Sequence, residues 1–313
     1  MEPPIQNIFE EVLPPIIHKE IEKKIAIVGS QNVGKNNLFH ALTKERIKIK
    51  QYGSTFCYGS LHYQKDTYIF YDLPNANSLL GNDSVHSNAS CIRDFICLSS
   101  PDVVLFICDY YTLEENLQFL FQILEITDNI VVCLTEHKFF YKSKPSINIE
   151  LLSKNIGLPV LEITLGNKAS IESFITNLHQ FIHNPIVFNP IHTGYPLPYE
   201  NAMLQLETLL HVFSFKNMKI RWLFLELLKN NMSFLSLDNH SFDKMLQENT
   251  ELKIRLDDIQ KELEHEFPKE HWIDDILFSH LKRSQKIFEN TVNVSSLSIK
   301  KKEPFFRRFF RNR

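Results

Sequence analysis

Residues 23–43 read KKIAIVGSQNVGKNNLFHALT, and within them Gly29-Ser30-Gln31-Asn32-Val33-Gly34-Lys35 has the spacing GxxxxGK. A charged start, a short β-type apolar run and then a glycine describe a buried parallel strand running into a phosphate loop. The loop opens a helix predicted over Lys35–Lys44. In that context the N–H groups of the turn and of the first helical turn cradle phosphate, and Lys35 supplies charge to the β and γ positions. The next residue is Asn36, where a Ser or Thr hydroxyl would ligate Mg²⁺. An amide oxygen can ligate, but its longer side chain crowds a small ion that demands near-octahedral geometry, so the sequence argues against Mg²⁺ binding.

Working outward, strand-like runs recur at 66–74 (DTYIFYDLP), 101–109 (PDVVLFICD), 129–136 (NIVVCLTE) and 158–164 (LPVLEIT). Helical spacing falls between and after them at Leu113–Ile126, Ile149–Ile156 and Ile171–His183. Strands alternating with helices predict a mostly parallel α/β sheet covered on both faces. The passage 184–198 (NPIVFNPIHTGYPLP) has prolines that forbid helix and marks a boundary. Beyond it, Tyr199–Phe213, Phe215–Asn230, Phe242–Glu266 and His271–Asn290 carry apolar residues at helical spacing and predict a bundle. The expected domains are an N-terminal arm (1–21), the phosphate-loop domain (22–185), a linker (186–196), a helical domain (197–292) and a tail (293–313).

The 313 residues are 43% hydrophobic and 23% charged, with 34 Lys and Arg against 37 Asp and Glu. The formal charge of −3 argues against a nucleic-acid partner. No apolar run approaches the roughly 18 residues of a spanning helix and no signal peptide is visible, so a cytoplasmic chain is expected. Charge is concentrated in KKKEPFFRRFFRNR (300–313), where seven basic residues face one acid. On a helical wheel its four phenylalanines oppose Arg307, Arg308 and Arg311, the pattern of an interfacial segment that would hold the chain at the inner face of a membrane. A disordered basic tail is the other reading. Five cysteines without a CxxC pair indicate neither a disulfide framework nor a thiolate zinc site. His265 and His271 flank Pro268 and read as a solvated face, and His280 as a core-edge histidine.

The order of these segments resembles the N-terminal cytosolic region of the bacterial ferrous-iron transporter FeoB, over roughly residues 22–290. KKIAIVGSQNVGKNNLFHALT is similar to that family's first guanine-nucleotide motif, QYGSTFC (51–57) to its second and YDLPNANSLL (71–80) to its third. Residues 92–126 follow the family pattern, including Arg93-Asp94, Pro101-Asp102 and Glu115-Asn116-Leu117, and IRWLFLELLKNN (220–231) resembles the signature helix of its helical domain. The resemblance implies a P-loop GTPase-like α/β domain followed by a helical bundle, and GTP or GDP as ligand. It implies nucleotide contacts at Gly29, Asn32, Val33, Gly34, Lys35, Asn36 and Asn37 of the loop and helix start, then at Thr55, Asp72, Thr135, Lys138 and Thr164. Asn36, Thr55 and Asp72 would form the metal side.

Several of these positions depart from the family pattern. Asn75 stands where a glycine would approach the γ-phosphate, so a Cβ intrudes. Asn-x-x-Asp becomes Thr135-Glu136-His137-Lys138, replacing the aspartate that accepts from guanine by a lysine with donors only. Ser-Ala becomes Thr164-Leu165, whose bulk narrows the base pocket. Metal, γ-phosphate and base contacts altered together predict a pseudo-GTPase with weakened base specificity that serves as a binding or regulatory module. An atypical but active GTPase of iron transport, and a membrane or protein scaffold indifferent to nucleotide, remain as alternatives. No catalytic residue is predicted and the protein partner is not named.

Overall fold

The computed structural model describes residues 22–43, 45–51, 53–80, 87–136, 145–184, 188–211, 219–229 and 250–293. The arm at 1–21, Lys138 and the tail at 300–313 lie outside them. In chain order the elements are β1 (Glu22–Gly29), α1 (Lys35–Leu42), β2 (Ile47–Gln51), β3 (Ser54–Tyr63), β4 (Asp66–Asp72), α2 (Asn88–Ser99), β5 (Val103–Asp109) and α3 (Leu113–Leu124). There follow β6 (Ile130–Thr135), β7 (Ser146–Ile147), α4 (Ile149–Ile156), β8 (Val160–Ile163) and α5 (Lys168–His183). The last part comprises α6 (Leu197–His211), α7 (Ile220–Leu228), α8 (Thr250–Glu266), α9 (Trp272–Thr291) and β9 (Val292–Asn293).

Seven strands form one sheet in the order β2-β3-β4-β1-β5-β6-β8. The β1–β4, β1–β5, β5–β6 and β6–β8 pairs are parallel, while β2–β3 and β3–β4 are antiparallel. Central β1 is buried on both sides. Ile25 and Ile27 join Leu38, Phe39, Phe174 and Leu178 of α1 and α5 on one face, and Ala26 and Val28 join Ile92, Phe95, Leu117 and Leu120 of α2 and α3 on the other. Apolar surface on both faces is why these central strands read as continuous apolar runs.

The same second core continues into the helical part, where Trp222, Phe224, Trp272 and Ile276 are buried and α9 lies along α3. The two parts are tied by strands as well: β9 pairs with β7, joining Val292 to Ile147. Asn293, which the sequence assigns to the start of the tail, is thus a strand residue.

Two elements carry no clear sequence signal, and one boundary needs correction. The hairpin β2–β3 is one, since β2 is an edge strand of alternating Ile and Lys with four of its five residues exposed. Helix α2 is the other: Ala89 to Ile96 are all buried, Arg93 and Asp94 included, so no polar face marks the helical period. The proline-rich boundary does not exclude helix up to 198, because α6 begins at Leu197 with Pro198 in its first turn, where a missing N–H costs nothing.

Candidate nucleotide site

β1 ends at the carboxyl edge of the sheet between β4 and β5, the edge at which open α/β sheets hold their ligands. Space at this turn is tight: a Cβ on Gly29 would lie 3.0 Å from Val33 Cγ2 and 3.2 Å from the Ile107 carbonyl oxygen. The loop then turns through left-handed backbone at Asn32 (φ 63°) and Gly34 (φ 85°). Asparagine tolerates that region and glycine adopts it freely. Gly34 precedes α1 and no side-chain cap bond is made there, so the first N–H groups and the positive dipole end, which face the loop by helix geometry, are not taken up by a capping side chain.

Lys35 is turned inward and is only 5% exposed. Its ammonium donates to the Asp72 carboxylate and, at 2.5 Å, to the Leu73 carbonyl oxygen. Burial holds the Lys35 pKa below the ordinary lysine value, with Asp72 acting in the opposite direction. Asp72 closes β4 and is in register with Ile27 of β1, two residues before β1 gives way to the loop that leads to Lys35 at the start of α1. Asn36 and Asn37 are exposed on the first turn of α1. Thr55 is exposed on β3, paired with Lys50, two residues before Cys57, the register partner of Asp72.

Thr135, expected among the nucleotide contacts, braces the loop. It is fully buried, and its hydroxyl donates to the Val33 carbonyl at 2.6 Å, with the Cys108 carbonyl a second, longer acceptor at 3.2 Å. Thr164 follows Ile163, the register partner of Thr135, and its N–H donates to Ser170 Oγ at 2.9 Å. Gly29, Val33, Gly34, Lys35, Asp72 and Thr135 thus form one connected unit, with Asn32, Asn36, Asn37, Thr55 and Thr164 around it. Asn75 is half-buried, and its carbonyl accepts from Asn88 Nδ2 at 3.0 Å. The Leu73 carbonyl had no sequence signal, being a backbone atom.

The segment after Asp72 reaches the helical part. Gln122 Oε1 of α3 accepts from Ser78 Oγ at 2.9 Å and from Leu79 N at 2.6 Å. Lys229, at the end of α7, donates to the Leu79 carbonyl at 3.2 Å. Deeper in the junction, Arg221 of α7 donates at 2.6 Å to Glu125, which is completely buried. Tyr195 donates to the same carboxylate at 3.0 Å. The sequence marked 220–231 as a signature without showing that Arg221 is its anchor.

A phosphate loop on the central strand of a mostly parallel sheet, followed by a docked helical bundle, defines a P-loop GTPase-fold protein with a helical domain. Residues 23–178 match the family described as Ferrous iron transport protein B, and the chain belongs to that family. Among curated relatives, the Fe(2+) transporter FeoB of Leptospira interrogans is 33% identical over 138 residues, 43% of this chain and 19% of that protein. The Fe(2+) transporter FeoB of Escherichia coli K12 is 25% identical over 179 residues, covering 55% and 23% respectively. The chain therefore spans about a fifth of the length of the curated relatives it matches. Among solved structures, the cytosolic domain of the T. maritima FeoB iron transporter in a GDP form superposes with a TM-score of 0.65 at 19% identity, covering 87% of this chain and all of that one. The GDP-bound A143S mutant of the S. thermophilus FeoB G-domain gives 0.69 at 17% identity, covering 87% and 100%. At these identities the structures establish the fold. No helix among the described residues is long and apolar enough to cross a membrane.

Proposed function

We propose that this chain is a regulatory module related to ferrous iron transport, a pseudo-GTPase whose loop binds nucleotide phosphate without turning it over. One observation carries the reading: Lys35 of the phosphate loop is bonded to Asp72 and Leu73, and Leu79 six residues on is bonded to Lys229 of the helical part. A phosphate arriving at the loop competes with Asp72 for Lys35, and the segment that would respond is anchored on α7. The relatives named above in GDP forms support a guanine nucleotide as the first ligand to try. Residues 22–185 would receive the ligand and residues 197–292 would report it.

Turnover is disfavoured by the metal side. Asn36 replaces a hydroxyl ligand and Asn75 a glycine, while Asp72 is already engaged by Lys35. Base selectivity falls because Lys138 offers donors where guanine presents donors. Calorimetric titration with GTP, GDP and ATP, each with and without Mg²⁺, tests this, together with a phosphate-release assay. The expected result is nucleotide binding that changes little with Mg²⁺ or with the base, and phosphate release at the level of a buffer blank. Mg²⁺-dependent hydrolysis, or a preference for GTP over ATP beyond about a hundredfold, roughly 2.8 kcal/mol, would overturn it.

The proposed location is the cytosolic face of a membrane, reached through residues 300–313. Their charge gives salt-dependent binding to anionic vesicles at about 1 kcal/mol per basic residue near the surface. Co-sedimentation with anionic but not neutral vesicles, lost on deletion of Lys300–Arg313, is the expected outcome. Equal sedimentation with both vesicle types removes this part of the proposal.

A further inference from the structure

At the opposite end of the sheet from the phosphate loop, three ligand-bearing side chains converge. Asp66 opens β4 directly after the Gln64–Lys65 turn and its side chain is 8% exposed. Helix α5 runs to this corner and carries His179 and His183 four residues apart, which puts both imidazoles on one face. His183 Nε2 lies 2.6 Å from Asp66 Oδ2 and His179 Nδ1 lies 3.6 Å from the same oxygen. The two rings stand 4.4 Å apart between centroids, and the three ligand atoms all fall within 4.8 Å of one another.

A carboxylate clamping a helix end needs one imidazole, and His183 already supplies it. His179 is brought to the same oxygen at a distance too long for a hydrogen bond, while the Tyr68 hydroxyl stands 2.5 Å from its Nδ1. We propose that Asp66, His179 and His183 form a binding site for a divalent transition-metal ion, independent of the nucleotide site. Bonds of about 2.0–2.2 Å from nitrogen and carboxylate oxygen to such an ion place ligand atoms roughly 3–3.5 Å apart. The spacings present here surround that value, and small rotations of two imidazoles reach it.

Two imidazoles with one carboxylate suit Zn²⁺, Fe²⁺ or Co²⁺ and do not suit Mg²⁺ or Ca²⁺, which prefer oxygen. The remaining coordination positions fall to water, since the His183 side chain is 30% exposed. The Tyr68 hydroxyl is already within hydrogen-bonding reach of the Asp66 carboxylate, and once an ion takes His179 Nδ1 its proton is left to Asp66, the outer-shell bond that orients a metal-binding carboxylate. Asp66 and Asp72 are the two ends of β4, about 20 Å apart at some 3.3 Å per residue. An ion here takes no part in phosphate chemistry. It fastens the β3–β4 hairpin to the end of α5.

The test uses the full chain without an affinity tag, stripped with chelator. Co²⁺ is titrated with visible absorption as the readout, Zn²⁺ by calorimetry and Fe²⁺ under anaerobic conditions. One equivalent is expected to bind saturably, with visible bands showing nitrogen and oxygen ligation and with no competition from excess Mg²⁺. His179→Gln and His183→Gln should each weaken binding at least tenfold, while His265→Gln/His271→Gln leaves it unchanged. Asp66→Asn should weaken binding likewise; circular dichroism confirms that each variant is folded, and His183→Gln, at the partly exposed position, serves if Asp66→Asn does not fold. Absence of a saturable equivalent, or binding indifferent to the changes at 179 and 183, overturns the proposal and leaves an Asp–His clamp.

Discussion

The loop end of the sheet and the junction with the helical part are built from similar materials and arranged to opposite effect. Each centres on a cation bonded to a carboxylate, Lys35 to Asp72 and Arg221 to Glu125. At the junction the carboxylate is fully buried, and Arg221 also donates to the Thr193 carbonyl at 2.7 Å and to Glu200 at 3.3 Å. His280 completes it. Because the Tyr195 hydroxyl donates to Glu125, it accepts from His280 Nε2 at 3.2 Å, and Nδ1 then accepts from the Thr193 hydroxyl at 3.1 Å. At the loop, by contrast, Asn36, Asn37 and Thr55 stand exposed beside the buried pair. The junction uses its charges on each other in a network of several partners, whereas the loop pairs one cation with one carboxylate beside exposed polar side chains.

Removing the junction's cation should have the largest effect. Arg221→Ala leaves Glu125 buried and short of its main partner, and a cost of about 3 kcal/mol is expected in urea unfolding. Adding Glu125→Gln should recover part of it; equal stability of Arg221→Ala and the unaltered protein would break the contrast drawn above.

Acid should act next, through His280. Burial, with Arg283 and Arg221 nearby, lowers its pKa from 6.5 to about 3. The unfolded chain therefore binds the proton first, and stability falls as pH drops below 6.5, until about 3. The expected loss at pH 5 is about 2 kcal/mol, visible in denaturant midpoints and reduced in His280→Gln. Thr135→Val should be milder, about 1 kcal/mol, but its effect should concentrate at the loop, with faster amide exchange over 32–36 and little change in α7.

The smallest effect on stability is expected from Asn36→Ser. An exposed substitution stays within about 0.5 kcal/mol, yet it restores a hydroxyl ligand and should raise the Mg²⁺ dependence of nucleotide binding. A stability change as large as that of Arg221→Ala would show that Asn36 is structural and erase the distinction between the two regions.

The sequence by itself determined the phosphate-loop domain and the helical part after it, because Gly29–Lys35 is a local code: its glycines and lysine act within seven consecutive residues. Strands buried on both faces and helices with one apolar side were legible for the same reason. It also exposed the substitutions at 36 and 75, and the lysine at 138, which lies outside the described residues. Tertiary structure decided what could not be local. The β2–β3 hairpin has an exposed edge, and α2 is buried on every side, so neither carries a clear period. Thr135 braces Val33 across 102 positions and Arg221 reaches Glu125 across 96. His183 meets Asp66 across 117, and nothing in the chain order pointed to that carboxylate. A polar side chain declares its chemistry in the sequence, but its partner is set by which strand ends and helix faces the fold brings together.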